Sequence, residues 1–381
     1  MTQEQHADIR LFDRLLEEPC NRLIEDAIDS GRIPIGYTCS YVPHVLLSIP
    51  PLLPVRVRAP GARGTELADI YMSNLTCSYT RSILEFAMDY RYDFLAGWVH
   101  TAGCDHLRRL NDNLEYLLAP QFSHIMDVPH RTTAEGIKWY KEEIEILAEK
   151  LETGFDVKIS EKALASVIEK HNAFAGLLDS VARLRKEDPP PLSGTEFHKI
   201  MAASMVSPAE LIAPQIEKLR DSLAAKNKKE PSGARLMIVG GHLDDPQYIE
   251  TIESTGAVVV ADRMCTGSIN GIKPIRQDKA PIDALAEHFL RTPSCPRMME
   301  DFDKRVEQIV KAAKEYRVEG IIVQFIKFCD TWGVESASLG RALRDAGFKV
   351  LTLEREYGAT GMGQLQTRVQ AFLESMEGQP R

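Results

Sequence analysis

Phe94-Leu95-Ala96-Gly97-Trp98-Val99-His100-Thr101-Ala102-Gly103-Cys104-Asp105-His106 is the stretch on which the reading of the fold turns. A mostly apolar run, Phe94 to Thr101, stops at glycine, cysteine and aspartate. That is the pattern of a buried strand emptying into a turn and a helix-capping acid. Upstream, Ile33 to Thr38 and Leu53 to Val57 are further strand candidates. Between them and Phe94, Thr76 to Tyr90 reads as a helix with Ile83, Leu84, Ala87 and Met88 apolar, a face suited either to a partner or to the core. Residues 5–30 read as one amphipathic helix, with Leu11, Leu15, Leu16, Leu23 and Ile24 on one side.

Downstream the period changes. From about 131 to 230 the chain is helical and charged, with Ile144, Leu147 and Leu151 inward. Glu187-Asp188-Pro189-Pro190-Pro191 interrupts it, and the polar run Lys226 to Gly233 marks a domain boundary. Then Leu236 to Val239, Ala257 to Ala261, Gly320 to Phe325 and Phe348 to Leu353 are runs of buried-strand type. Helices near 246–255, 300–317, 335–346 and 361–376 fit between and after them. This alternation predicts an α/β chain: two Rossmann-like parallel-sheet units with a helical segment between them. The expected divisions are an N-terminal helix (1–30), a first α/β domain (31–130), the helical segment (131–233) and a second α/β domain (234–381).

At 381 residues and 42.7 kDa the chain is too long for one ordinary core. Its net charge of −9 and pI of about 5.7 argue against a nucleic-acid surface. No apolar run approaches the ~20 residues that span a bilayer, and Met1 to Leu16 lacks the apolar core of a signal peptide. Together these predict a cytoplasmic protein with no membrane partner. Gly358 to Gly363 and Gly240-Gly241 match neither the dinucleotide fingerprint nor a P-loop, so no nucleotide site is expected.

Seven cysteines stand at 20, 39, 77, 104, 265, 295 and 329, with no C-x-x-C pair. An odd, scattered set argues against a disulfide framework, a zinc ribbon or a ferredoxin-type run. Any metal site must draw on distant segments. Cys104 and Cys329 each follow a strand, where ligands gather in open α/β sheets. Cys77 opens a helix, where free N–H groups and the dipole favour a thiolate. By position alone, buried structural thiols remain the commoner reading.

Six segments, in order, then tip the balance. They are Gly36-Tyr37-Thr38-Cys39-Ser40-Tyr41-Val42-Pro43; Asn74-Leu75-Thr76-Cys77-Ser78-Tyr79 through Arg81 and Glu85; Tyr92-Asp93-Phe94-Leu95 through Gly103-Cys104-Asp105-His106 to Arg109; Ala261-Asp262-Arg263-Met264-Cys265-Thr266-Gly267; Phe328-Cys329-Asp330 with Trp332-Gly333; and Gly363-Gln364-Leu365-Gln366-Thr367-Arg368 followed by Gln370-Ala371-Phe372-Leu373-Glu374. From about residue 33 to 376 the chain resembles the 2-hydroxyacyl-CoA dehydratase and benzoyl-CoA reductase family, and most of all the smaller cluster-bearing subunit of ATP-dependent benzoyl-CoA reductase.

The resemblance implies one [4Fe–4S] cluster held by Cys77, Cys104 and Cys329, with one iron left for a non-cysteine ligand. It also implies a related cluster-bearing subunit, an ATP-hydrolysing activator, ferredoxin as electron donor and an acyl-CoA substrate. Benzoyl-CoA reduction is then the expected activity. A 2-hydroxyacyl-CoA dehydratase subunit and a non-catalytic electron relay are the alternatives. Cys39 ranks below the three ligands; Cys265 matches the family without an implied ligand role; Cys20 and Cys295 read as structural. Ser40 is a candidate to bond the thioester carbonyl, although a turn serine reads as well. His106 beside Asp105 reads as a supporting histidine in preference to an acid–base pair. Arg56, Arg58 and Arg63, with Gly61 and Gly64, read as a solvated basic loop that could meet CoA phosphates.

Overall fold

A computed structural model describes residues 3–224, 233–358 and 361–377. Most of the boundary run Lys226 to Gly233, and part of the run Gly358 to Gly363, lie outside the described residues. The first unit comprises α1 (Gln3–Leu16), α2 (Arg22–Asp29), β1 (Ile33–Tyr37), β2 (Leu52–Arg56), α3 (Ser78–Met88), β3 (Gly97–Thr101), α4 (Asp105–Leu118) and β4 (Ser123–Met126). Four helices follow: α5 (Ala134–Phe155), α6 (Glu161–Leu184), α7 (Gly194–Met205) and α8 (Ala209–Ala224). The rest is β5 (Arg235–Gly240), α9 (Pro246–Glu253), β6 (Val258–Met264), α10 (Ser268–Gly271), α11 (Pro281–Arg291), α12 (Phe302–Glu315), β7 (Gly320–Ile326), α13 (Trp332–Asp345), β8 (Lys349–Arg355) and α14 (Met362–Glu377).

Both sheets are four-stranded and wholly parallel, in the orders β2-β1-β3-β4 and β6-β5-β7-β8. The expected pair of parallel-sheet units with helices between them is therefore present. The two orders are also the same: the chain steps outward once, then crosses back past its first strand. Each sheet thus has a switch point at its centre, between β1 and β3 and between β5 and β7. Crevices beyond strand C-termini at such points are where α/β proteins bind ligands. Gly240 closes β5 at φ +151°, and a Cβ there would sit 1.9 Å from the Gln324 carbonyl of β7. Only glycine permits that approach.

Three elements differ from the sequence expectation. The single helix over 5–30 is two, because Pro19 bars Glu18 from helical geometry and Asn21 caps α2, its Oδ1 accepting the N–H groups of Leu23 and Ile24 at 3.0 and 3.2 Å. The short strand β4 is half polar and sits at a sheet edge, so it carried little period-2 signal. Helix α11 lies late in the chain, yet Leu285, Phe289 and Leu290 pack into one core with Ile35, Tyr37 and Val99 of the first sheet. Ile83, Leu84 and Ala87 are buried against Trp98 and Leu110, which makes that face of α3 core and not a partner contact.

A buried polar knot joins the two units. Asp244, after β5, accepts from Arg58 Nε at 3.2 Å and from the Tyr357 hydroxyl at 2.7 Å. The Ala59 N–H donates to that hydroxyl at 2.9 Å, and the Tyr357 N–H donates to Ser78 Oγ at 2.8 Å. Burial alone would raise the Asp244 carboxyl, but His242, Arg58 and Tyr357 together hold it far below the usual carboxylate range.

Candidate functional site

The thiols gather at this junction. Cys77 and Cys104 are the N-cap residues of α3 and α4, and neither side chain caps its helix. Each sulfur is therefore carried at a helix start whose N–H groups and dipole favour negative charge. Cys329 lies in the turn after β7; its N–H donates to the Ile326 carbonyl at 2.9 Å and its carbonyl accepts from the Gly333 N–H at 3.0 Å. Phe328, just before it, is held at φ +64°, a strained conformation for an aromatic residue. Thr80 Oγ1 stands 3.5 Å from Cys77 Sγ, and Thr331 Oγ1 3.6 Å from Cys329 Sγ.

Their charges feel one another. Burial pushes the Cys77 thiol up to about 11, with Cys329 and Asp330 adding to the rise. Burial likewise drives Cys104 well above its ordinary range, helped by Cys77, Cys329 and Cys39. One imidazole ties the segments: His106 Nδ1 accepts the Cys77 N–H at 3.2 Å, and its Nε2 lies 3.4 Å from the Asp330 carboxylate. His106 thus ties the Cys77 and Asp330 segments together, while Asp105, read from the sequence as a helix cap, is the first residue of α4 after Cys104.

Three more sulfurs share the neighbourhood. Cys39 packs on the same core as Cys77 and Cys104. Burial pushes Cys265 up to about 12, and Cys39 and Cys329 act on it. Burial also raises Cys295, with Cys265, Cys39 and Cys329 contributing. Cys295 had no sequence signal, since it follows a helix and no strand. Cys20 stands apart beside α2, raised by burial and by Glu25. Among the described residues no three His, Cys, Asp or Glu side chains converge closely enough to hold a metal ion. In donor chemistry, Cys77, Cys104 and Cys329 still suit an iron–sulfur group: soft sulfurs, Cys77 buried and the other two partly buried, two of them at helix N-termini.

Beside the thiols a cleft of about 560 Å³ runs between the first sheet and α6 to α8. Lys170 and Glu217 stand at its exposed end, while Tyr37, Ser40 and Arg56 are buried along it. Ser40 Oγ donates to the Cys265 carbonyl at 3.4 Å. His44 is driven to neutrality, its pKa well below the ordinary value, by burial and by the neighbouring His171, His288 and Arg56. The sequence expectation of a solvated basic loop fails for two of its three arginines. Arg58 is buried in the Asp244 knot and Arg56 lines the cleft, because both flank the buried end of β2; Arg63 is exposed.

Two parallel-sheet lobes, with thiols gathered at helix starts and beyond strand ends and a cleft nearby, define a thiol-rich α/β protein. The chain belongs to the family described as 2-hydroxyglutaryl-CoA dehydratase, D-component, whose model matches residues 39–376. It is 24% identical over 368 residues to the (R)-phenyllactyl-CoA dehydratase beta subunit of Clostridium sporogenes, covering 96% of this chain and 97% of that one. It is 26% identical to a subunit of the benzoyl-CoA reductase of Thauera aromatica, over 89% and 88% of the two chains. It is 22% identical to the beta subunit of (R)-2-hydroxyglutaryl-CoA dehydratase of Acidaminococcus fermentans, over 91% and 93%. Each of these relatives is named as one subunit of an enzyme. Among the described residues no helix is long and apolar enough to cross a membrane.

Proposed function

We propose that the chain is the cluster-bearing subunit of a cytoplasmic enzyme that acts on CoA thioesters, a 2-hydroxyacyl-CoA dehydratase in the first place. One observation carries this reading: Ser40, buried in the cleft, is adjacent in sequence to Cys39, which packs on one core with Cys77 and Cys104. A ligand in the cleft would then lie one residue away from the segment that carries Cys39.

Cys77, Cys104 and Cys329 would hold one [4Fe–4S] cluster, and when bound it would supply single low-potential electrons to a thioester carbonyl. The chain's own residues do the rest. Ser40 Oγ donates its one proton to the Cys265 carbonyl at 3.4 Å and would have to give up that long bond to donate to a thioester oxygen. His106 holds the Cys77 and Asp330 segments in register. Ile326 and Leu107, both buried beside Cys77, keep water from the sulfurs. A related cluster-bearing subunit would cover the open side, with an ATP-hydrolysing activator and ferredoxin delivering electrons. The naming of the relatives as subunits supports such an assembly.

Benzoyl-CoA reduction, which the sequence resemblance puts first, would use the same parts, and one reductase subunit is among the relatives. What puts the dehydratase first is that two of the three relatives are named as dehydratase subunits; the cleft itself carries both an apolar wall, with Phe174, Leu177 and Leu178, and the polar Arg56 and Ser40. Anaerobic turnover of the purified complex with electrons counted decides the matter. Product from a 2-hydroxyacyl-CoA without net electron consumption supports the dehydratase. Stoichiometric consumption with benzoyl-CoA alone would make it a reductase, and a cluster spectrum indifferent to any thioester would make it a relay.

A further inference from the structure

The connection between α11, which packs on the first sheet, and α12, which packs on the second, passes among the thiols. Cys295 Sγ stands 3.9 Å from Thr331 Oγ1, the hydroxyl that also lies 3.6 Å from Cys329 Sγ. Two residues on, Arg297 reaches toward the first lobe. Its Nη1 donates to the Gly103 carbonyl at 2.8 Å and its Nη2 to the Val128 carbonyl. Gly103 precedes Cys104, and a Cβ placed on it would come within 3.6 Å of Cys39 Sγ. One side chain therefore holds the turn that leads into Cys104.

Two arginines serve this connection, and their charges differ in fate. Arg305, from α12, donates to the Ser294 and Cys295 carbonyls at 3.4 and 3.1 Å. It is neutralised by Glu335, whose carboxylate accepts from its Nε at 2.7 Å. Arg297 is half-buried, spends both η nitrogens on carbonyls and pairs with no carboxylate among the described residues. Its Nε is buried with no hydrogen-bond partner. As free thiols, Cys104 and Cys295 offer no negative charge either, since burial raises both. A guanidinium cannot discharge by losing its proton, and a desolvated charge without a counter-charge is costly.

We propose that Arg297 is the positioning residue for the Cys104 turn and the counter-charge to an anionic cluster held by Cys77, Cys104 and Cys329. This rests on the reading of those three thiols as cluster ligands. Three thiolates on an iron–sulfur core leave a net negative charge, which grows when an electron is taken up. A cation fixed at the turn before one ligand stabilises the reduced form more than the oxidised one, because Coulomb attraction scales with charge. Arg297 therefore limits how strongly reducing the bound group can be. Its planar fork, spread over the Gly103 and Val128 carbonyls, keeps the Cys104 turn from swinging away.

The test uses the anaerobically purified complex, with the reduction midpoint followed through the spin signal of the reduced cluster and iron release followed with a chelator. Arg297→Gln removes the charge, while its amide can replace one of the two bonds. Its midpoint should be more negative than that of wild type, and its iron should leave several-fold faster. Arg297→Lys keeps the charge and loses the fork, so its midpoint should stay near wild type while iron again leaves faster. An unchanged midpoint in Arg297→Gln would overturn the counter-charge, and unchanged iron release in both variants would overturn the positioning role. Should Arg297→Gln not accumulate as folded protein, Arg297→Lys decides: a midpoint well below wild type there would equally overturn the proposal. A wild-type complex without iron and sulfide would sink the cluster reading, and this proposal with it. A loaded wild type with indifferent variants would sink the proposal alone.

Discussion

His106 Nδ1 accepts the backbone N–H of Cys77 at 3.2 Å, so the first turn of α4 is fastened to the N-cap of α3. On its other side the ring reaches Asp330, next to Cys329. His106→Ala should leave the fold standing, at a cost of about 1 kcal/mol for the lost bond. It should release iron to a chelator several-fold faster than wild type. His106→Asn, which keeps an acceptor, should fall between the two. Equal iron retention in all three proteins would show that the tie does not serve the thiols.

The cysteines should separate into ranks. Cys77→Ala, Cys104→Ala and Cys329→Ala are each expected to lose the iron and acid-labile sulfide of the anaerobically purified protein, about four of each per chain. Cys20→Ala, far from the group, should keep them. Stoichiometric zinc without sulfide in the wild type would refute the cluster assignment outright.

Acid should destabilise the protein early, through buried neutral histidines. Burial pushes His100 and His288 down to about 3 and His171 and His198 down to about 4. In the unfolded chain they titrate near 6.5. As pH falls below about 6.5 the unfolded state takes up protons that the native state refuses, so stability drops from there until the folded values are reached. Urea midpoints at pH 7.5 and 5 should show the decline, and His198→Gln should make it shallower. A midpoint constant across that range would contradict these assignments.

Leu84 is wholly buried in α3, so Leu84→Ala should cost about 2–5 kcal/mol and leave assembly size unchanged. Association should depend instead on apolar groups exposed beside the thiols, such as Leu75, two residues before Cys77, and Val334, five after Cys329, at 63% and 81% exposure. Sedimentation should find Val334→Asp weakened in binding its partner subunit and Leu84→Ala merely less stable. A chain that is a cluster-loaded monomer in dilute solution would remove the basis for a covering subunit.

How much of this was legible in the sequence follows from the range of the forces involved. Strand burial and helix amphipathy are local periodicities, so the α/β class, the helical middle and seven of the eight strands among the described residues could be read from runs such as Gly320 to Phe325. Cys77, Cys104 and Cys329 each sit where an element starts or ends, a local signal that by itself left structural thiols the commoner reading; the family resemblance singled them out as the ligands. Their placement in one neighbourhood with Cys39, Cys265 and Cys295 came only from packing. So did the matching strand orders, the return of α11 to the first sheet and the role of Ile83 and Leu84 as core. Arg56 and Arg58 show the division most sharply. Two residues apart after the same strand, they look alike in sequence, yet one is neutralised by Asp244, 186 positions on, and the other faces a cleft. Sequence determined which side chains carry charge and sulfur; which of them meet a partner depends on distances across the two lobes, and only the folded chain sets those.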